Sequence, residues 1–255
     1  LASVSKQFTA MAILLLVQDG VLRLDQPVHD WLPSLPPATR KITLRHLLSH
    51  RSGLVDYEDS VPDDAPQVRD ADVLRILESQ DRTLFEPGQG YQYSNSGYAL
   101  LALVVERASK KDYPSFLRER IFEPLGMKAT LARVDEGPAV ANRAYGYRLE
   151  DGAWVRRDQS STSAVLGDGG IYSSVEDLAR WDAALYDDRL LGDRLRKEMW
   201  SRQGNTDDPD IDYGFGWRLT GSTVWHSGES MGFRNVLIRD PSRHTTVILL
   251  TNRDD

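Results

Sequence analysis

The chain of 255 residues holds 31 Lys and Arg against 38 Asp and Glu, a net charge of −7, and no cysteine. The acidic balance argues against nucleic acid or an anionic membrane surface as partner, and the lack of thiols excludes disulfides and cysteine catalysis while leaving the compartment open. The length suits one large domain or two intertwined ones, and no apolar run reaches membrane-spanning length.

The first element is an apolar helix over residues 3–18, marked by Phe8, Met11, Leu14, Leu15 and Leu16 and stopped by Asp19-Gly20. Ser3 falls in its first turn, where free backbone N–H groups and the helix dipole favour negative charge. Residues three apart share a helix face, so Ser3 and Lys6 meet. A serine hydroxyl is a poor nucleophile near neutral pH and needs a base within hydrogen-bond reach. Burial and a second cation both favour the neutral amine that a lysine base requires. Alone, such a tetrapeptide reads as a capping serine beside a surface lysine. Ser5 competes as nucleophile but has no lysine three residues on.

Pro-rich connectors such as Leu32-Pro33-Ser34-Leu35-Pro36-Pro37 separate short helices over 44–50 and 71–79. Pro87-Gly88 reads as a turn, and Ser94, Asn95 and Ser96 are good N-caps for a helix over 98–110. Tyr93 is thereby set on a loop just before a helix, a position where functional side chains are common. A tyrosine shuttles protons when cations surround it, and Asn95 is able to hold Lys6 and a substrate amide together. The plain alternative is a helix cap with two core tyrosines. A further helix covers 113–121, and the helical part extends to about Leu166.

From Ile171 the pattern changes. Ser173-x-x-Glu176 opens a helix that runs to about Leu185. A meander follows, with strands over 213–219, 223–226, 235–239 and 245–251 and turns at Gly221-Ser222 and Asp240-Pro241. His226 ends the second of these strands. Gly228 permits close backbone approach, and the N–H of Glu229 is placed to complete an oxyanion hole with that of Ser3. The result is an α/β fold of the α+β type, an antiparallel sheet flanked by helices. Residues 1–170 form a mostly helical part carrying Ser3 and Tyr93-Ser94-Asn95. Residues 171–255 form a helix and the sheet. The site lies at their seam.

Two other chemistries are set aside. His29, His46, His50, His226 and His244 lack metal-ligand spacing, and the reading needs no metal or cofactor. Gly228-Glu229-Ser230-Met231-Gly232 fits the G-x-S-x-G elbow, but that elbow joins a strand to a helix, whereas residues 235–239 read as another strand.

Ser3-Val4-Ser5-Lys6, Tyr93-Ser94-Asn95 and His226-Ser227-Gly228, in this order, resemble the serine β-lactamase and penicillin-binding superfamily. The similarity is closer to its class C β-lactamase-like branch, which also holds DD-peptidases, D-aminopeptidases and family VIII-type carboxylesterases. Residues 42–54, ending Leu47-Leu48-Ser49-His50-Arg51-Ser52-Gly53-Leu54, are similar to that branch's "LLxHxSGL" stretch, and the segments 122–127 and 167–179 also look like family segments. The resemblance implies a β-lactamase/transpeptidase-like fold and a serine hydrolase that works through a covalent acyl-enzyme on a small ester, amide or peptide. It implies Ser3 as the acylated serine, Lys6 as its partner, Tyr93 as general base or acid and Asn95 as the contact to lysine and substrate. Which of Lys6 and Tyr93 is the base stays open. His226 stands where class C β-lactamases have the lysine of K-T-G. Tyr57 aligns with a residue lining the pocket, and Asp168-Gly169-Gly170 with the opposite rim. A histidine is mostly neutral at pH 7, which lowers the expectation of an efficient β-lactamase. Arg234 either replaces the missing cation or is a surface arginine. The other function class is a penicillin-binding or scaffold-like protein with little turnover. The family has strands before its serine and a helix after its last strand. Both are expected to be missing here, leaving an open sheet edge. A signal peptide ahead of this segment would imply a periplasmic or secreted protein.

Overall fold

The structure, a computed structural model, describes residues 1–134 and 139–254. A 3₁₀ turn, Ala2–Ser5, leads into α1 (Lys6–Gln18), whose residues from Lys6 to Leu16 are all buried. Ala, Met, Ile and Leu fill this segment, so helix propensity and burial agree. Gly20, at φ +74°, ends it in the left-handed region. The next helices are α2 (Leu44–Leu48), α3 (Asp70–Glu78) and α4 (Asn95–Ser109). Then α5 (Tyr113–Leu117) continues into a π-helical turn, Arg118–Phe122. Two small antiparallel pairs come next, β1 (Leu131–Ala132) with the later β4 (Ile171–Tyr172), and the hairpin β2 (Tyr147–Glu150) with β3 (Ala153–Arg156). Helices α6 (Val175–Ala184) and α7 (Asp193–Met199) precede the main sheet.

That sheet is a five-stranded antiparallel meander in sequence order: β5 (Asp212–Tyr213), β6 (Arg218–Thr220), β7 (Thr223–Ser230), β8 (Phe233–Asp240) and β9 (Thr245–Thr251). One core cluster runs through it all: Phe8, Met11 and Leu14 of α1, Leu100 and Val104 of α4, Trp181 of α6 and Leu237 of β8 belong to it. Helix α1 packs on α4, and the 3₁₀ turn before it lies against β7 and β8. Strand β9 is the outer strand and exposes Val247 and Leu249. Among the described residues, no helix is long and apolar enough to cross a membrane.

Several boundaries differ from the sequence reading. Ser3 lies in the 3₁₀ turn, and the α-helix starts at Lys6. Helix α4 begins at Asn95 with Ser94 as N-cap, so Asn95 is helical and not a cap. The cap of α6 is Ser174, whose hydroxyl accepts from the Asp177 N–H at 3.2 Å, and not Ser173. The expected strand over 213–219 is broken into β5 and β6. Gly216, at φ +75°, sits so close to the Lys6 carbonyl that a Cβ there would lie 2.7 Å from that oxygen. Strand β7 runs four residues past His226, and Ser230 ends it in a strand-to-strand hairpin with Phe233. A nucleophile elbow requires a helix there.

Candidate active site

Three elements meet at Lys6, whose side chain is fully buried. Its Nζ donates to Ser3 Oγ at 3.0 Å, to Asn95 Oδ1 at 2.7 Å and to the Asp168 carbonyl at 2.9 Å. An ammonium has three N–H donors, and here each has an acceptor. The Ser3–Lys6 contact arises because the 3₁₀ turn passes directly into α1, which keeps residues three apart on one face. Ser5, the competing serine, instead accepts from the Ile171 N–H at 3.2 Å and serves packing.

Tyr93 meets Lys6 through its ring, with Nζ 5.1 Å from the centroid. The Arg218 guanidinium lies 5.6 Å from the same ring. Two cations thus flank the phenol and attract negative charge developing on it. The three hydrogen bonds of Lys6 go to Ser3, Asn95 and Asp168 and none to the Tyr93 hydroxyl. Asn95 is anchored in turn, its backbone N–H donating to Asp56 at 2.6 Å.

Tyr57 is not a wall of the pocket. It is fully buried, and its hydroxyl bonds to the Asp168 carboxyl at 2.8 Å. The family resemblance implies a place in the pocket lining, but the ring turns inward to fix the Gly167-Asp168-Gly169-Gly170 segment, where the Asp168 carbonyl receives Lys6. Burial pushes the Asp168 carboxyl well above the usual range, partly offset by the charge on Lys6. Asp70 braces the same segment, accepting from the N–H groups of Leu166 and Gly167 at 3.0 Å each.

His226 is also buried, at 1% exposure, and does not present its ring to the cavity. Its Nδ1 lies 2.6 Å from the Ser227 carbonyl and its Nε2 2.9 Å from the Tyr213 hydroxyl. The carbonyl only accepts, which assigns the proton to Nδ1 and leaves Nε2 to accept from Tyr213. Burial, helped by the charge on Lys6, lowers the His226 pKa to about 3. The ring is neutral at physiological pH and supplies no cation for a carboxylate.

A stability prediction follows. The unfolded chain protonates His226 near its ordinary pKa of 6.5, whereas the folded chain waits until about 3. The stabilisation held by the neutral ring is therefore complete above pH 6.5 and lost as pH falls towards 3. Urea unfolding of the parent and His226→Gln from pH 7 to pH 4 should show the parent losing about 3 kcal/mol more over that span. Parallel curves would contradict the assignment.

Gly228 acts in packing and not as a wall. A Cβ there would lie 2.2 Å from the Leu1 carbonyl and 3.1 Å from the Ser3 nitrogen, so glycine is what lets β7 lie on the nucleophile turn. Glu229 follows on the same strand, and its carboxylate pairs with Arg234 at 2.8 Å. Arg234 is thus an ion-paired surface arginine and not a spare cation.

A cavity of about 810 Å³ opens beside this cluster. Of the expected residues, Ser3, Asn95, Glu229 and, from the expected rim, Asp168 and Gly169 line it, as does Glu58. Lys6, Tyr57 and His226 are buried away from it, and half-buried Tyr93 is not part of that wall. Sequence reasoning missed Glu58, which stands beside Asn95. Burial and the nearby Asp56 carboxylate raise its pKa, while Lys6 and Asn95 hold it down. Its only sequence signal was adjacency to Tyr57. Among the described residues, no group of three or more His, Asp or Glu side chains is arranged to hold a metal ion.

The profile of the family described as Beta-lactamase matches residues 1–255. Penicillin-binding protein 4* of Bacillus subtilis (strain 168) is 34% identical over 275 residues, which cover all of this chain and 60% of that protein. The chain therefore spans about three-fifths of the length of that relative. The octameric penicillin-binding protein homologue from Pyrococcus abyssi superposes with a TM-score of 0.89 at 27% identity, over 99% of this chain and 61% of the other. The D-amino acid amidase from Ochrobactrum anthropi SV3, in complex with L-phenylalanine amide, gives a TM-score of 0.83 at 32% identity, over 98% and 75%. By its matched length, its fold and these relatives, the chain belongs to the Beta-lactamase family.

Proposed function

We propose that this chain carries the acyl-transfer site of a serine hydrolase in which Ser3 is acylated by an ester or amide. The observation behind it is the fully buried Lys6 bonded at once to Ser3, Asn95 and Asp168, with Ser3 lining a cavity of about 810 Å³. Because each donor of Lys6 has an acceptor, the ammonium suits the resting site, and Tyr93 is the better acceptor for the serine proton. The Ser3 oxygen attacks the carbonyl carbon as its proton passes to the Tyr93 oxygen, which takes it as a phenolate between the cations of Lys6 and Arg218. The carbonyl electrons move onto oxygen, held by the N–H groups of Ser3 and Glu229. Their return expels the leaving group, which takes the proton from Tyr93. Water then attacks the acyl carbon, releases the acid and restores Ser3.

The substrate class in this reading is an amino-acid amide or ester with a free amine, of the kind named for the D-amino acid amidase similar to this chain. Glu58 lines the cavity with Ser3 and Asn95 and offers an ammonium an anionic partner, while neutral His226 offers a β-lactam carboxylate no charge. Glu58→Gln is expected to lower the preference for D-phenylalanine p-nitroanilide over p-nitrophenyl acetate, as a ratio of kcat/KM, by about tenfold. An unchanged ratio would remove Glu58 from specificity. A burst on either substrate with no steady state would favour a penicillin-binding protein with little turnover.

A further inference from the structure

The backbone groups on either side of Tyr93 are tied to one residue. The Gln92 N–H donates to the His50 carbonyl at 2.9 Å. The Ser94 N–H donates to His50 Nδ1 at 3.1 Å. Between these bonds the Tyr93 ring lies on the imidazole, with centroids 4.2 Å apart and planes tilted by 33°. We propose that His50 is the positioning residue for Tyr93, gripping its backbone on both sides and its ring face. The proposal rests on the acyl-transfer reading above.

Three features separate this from ordinary core packing. His50 is buried at 1% exposure, yet its Nε2 has no hydrogen-bond partner among the described residues. An apolar ring of similar size would fill the space without leaving a buried polar group unsatisfied. His50 also adopts φ +58°, a left-handed conformation that L residues rarely take and that is retained where a site needs it. Finally, Nδ1 accepts a hydrogen bond only while the ring is neutral, with its proton on Nε2. Burial first, then the charges of Lys6 and Arg218, keep it so. Tyr91, Tyr98 and Tyr213 enclose the remaining sides of the imidazole. A tyrosine on a loop has freedom in backbone and side chain that a proton carrier cannot retain, because misplacement by about 1 Å lowers rates by about 10²-fold.

Asparagine and glutamine separate the roles. His50→Asn keeps an acceptor at the Nδ1 position and tolerates a left-handed φ, whereas His50→Gln carries its amide out towards the Nε2 position. Rates on p-nitrophenyl acetate are normalised to the folded fraction from near-UV circular dichroism. His50→Gln is expected to lose about 10²-fold in kcat with KM little changed, and to shift the limb of the kcat–pH profile that Tyr93→Phe abolishes. His50→Asn should recover at least about tenfold of that loss and return the limb towards the parent. Equal rates for the two variants, or an unmoved limb, would overturn the proposal. Should neither variant fold, ¹⁵N NMR of the parent ring decides: a neutral ring protonated on Nε2 from pH 5 to 9 supports it, and a proton on Nδ1 overturns it. A parent that fails to acylate at Ser3 overturns the acyl-transfer reading and the role of His50 with it, whereas an active parent with indistinguishable variants overturns the role of His50 alone.

Discussion

Lys6→Met is expected to lower kcat/KM by about 10³-fold or more, with the near-UV circular dichroism of the parent retained. Methionine matches the length and slenderness of the lysine stem, so the core around α1 keeps its packing. What disappears is the donor to Ser3 Oγ, Asn95 Oδ1 and the Asp168 carbonyl. Ser3 loses its orienting partner, and Asn95 is freed from the lysine that fixes its rotamer. The charge also vanishes from among Asp56, Glu58 and Asp168, which Lys6 holds towards ionisation, and from beside His50 and His226, which it holds neutral. Steady-state kinetics on p-nitrophenyl acetate check the claim. A folded Lys6→Met protein within about threefold of the parent would show that Ser3 does not depend on Lys6.

Gly228→Ala is expected to damage stability and rate together. Its added Cβ would meet backbone, the Leu1 carbonyl at 2.2 Å and the Ser3 and Val4 nitrogens at 3.1 Å, not the end of a flexible side chain. Relief requires β7 and the 3₁₀ turn to separate, which moves Ser3 away from Lys6. Overpacking of this kind costs about 1–3 kcal/mol, and displacement of the nucleophile by about 1 Å lowers kcat by about 10²-fold. Thermal unfolding and kinetics on the same sample test both. An unchanged melting temperature with unchanged kcat would mean that the strand and the turn do not depend on their close approach.

Much of this site was legible because its parts are local. Ser3 and Lys6 are three residues apart in a segment whose composition is helical, and Tyr93 and Asn95 are set by a turn and an N-cap. The meander was legible from alternation and turns, although β7 and β8 proved longer than the periodicity indicated. What was hidden depends on long-range contact. Tyr57 looked like a pocket wall because it neighbours the site in sequence, but its hydroxyl finds Asp168, 111 residues away. His50 was noted as part of a motif and set aside as a metal ligand, and its link to Ser94 was hidden because that bond spans 44 residues. The expected single strand over 213–219 failed at Gly216, where the approach of the Lys6 carbonyl takes precedence over alternation. Helix α7 escaped because it is short and mostly polar, and the β2–β3 hairpin because its strands are four residues long and β3, despite Trp154 and Val155, is exposed throughout.

The most direct test of the site is covalent. The protein is treated with a fluorophosphonate, digested, and the modified peptide mapped by mass spectrometry, with Ser3→Ala as control. Modification of Ser3, absent from the control and strongly reduced in Lys6→Met, is the predicted result. Modification of Ser230 instead, or equal labelling of parent and Ser3→Ala, would contradict the account.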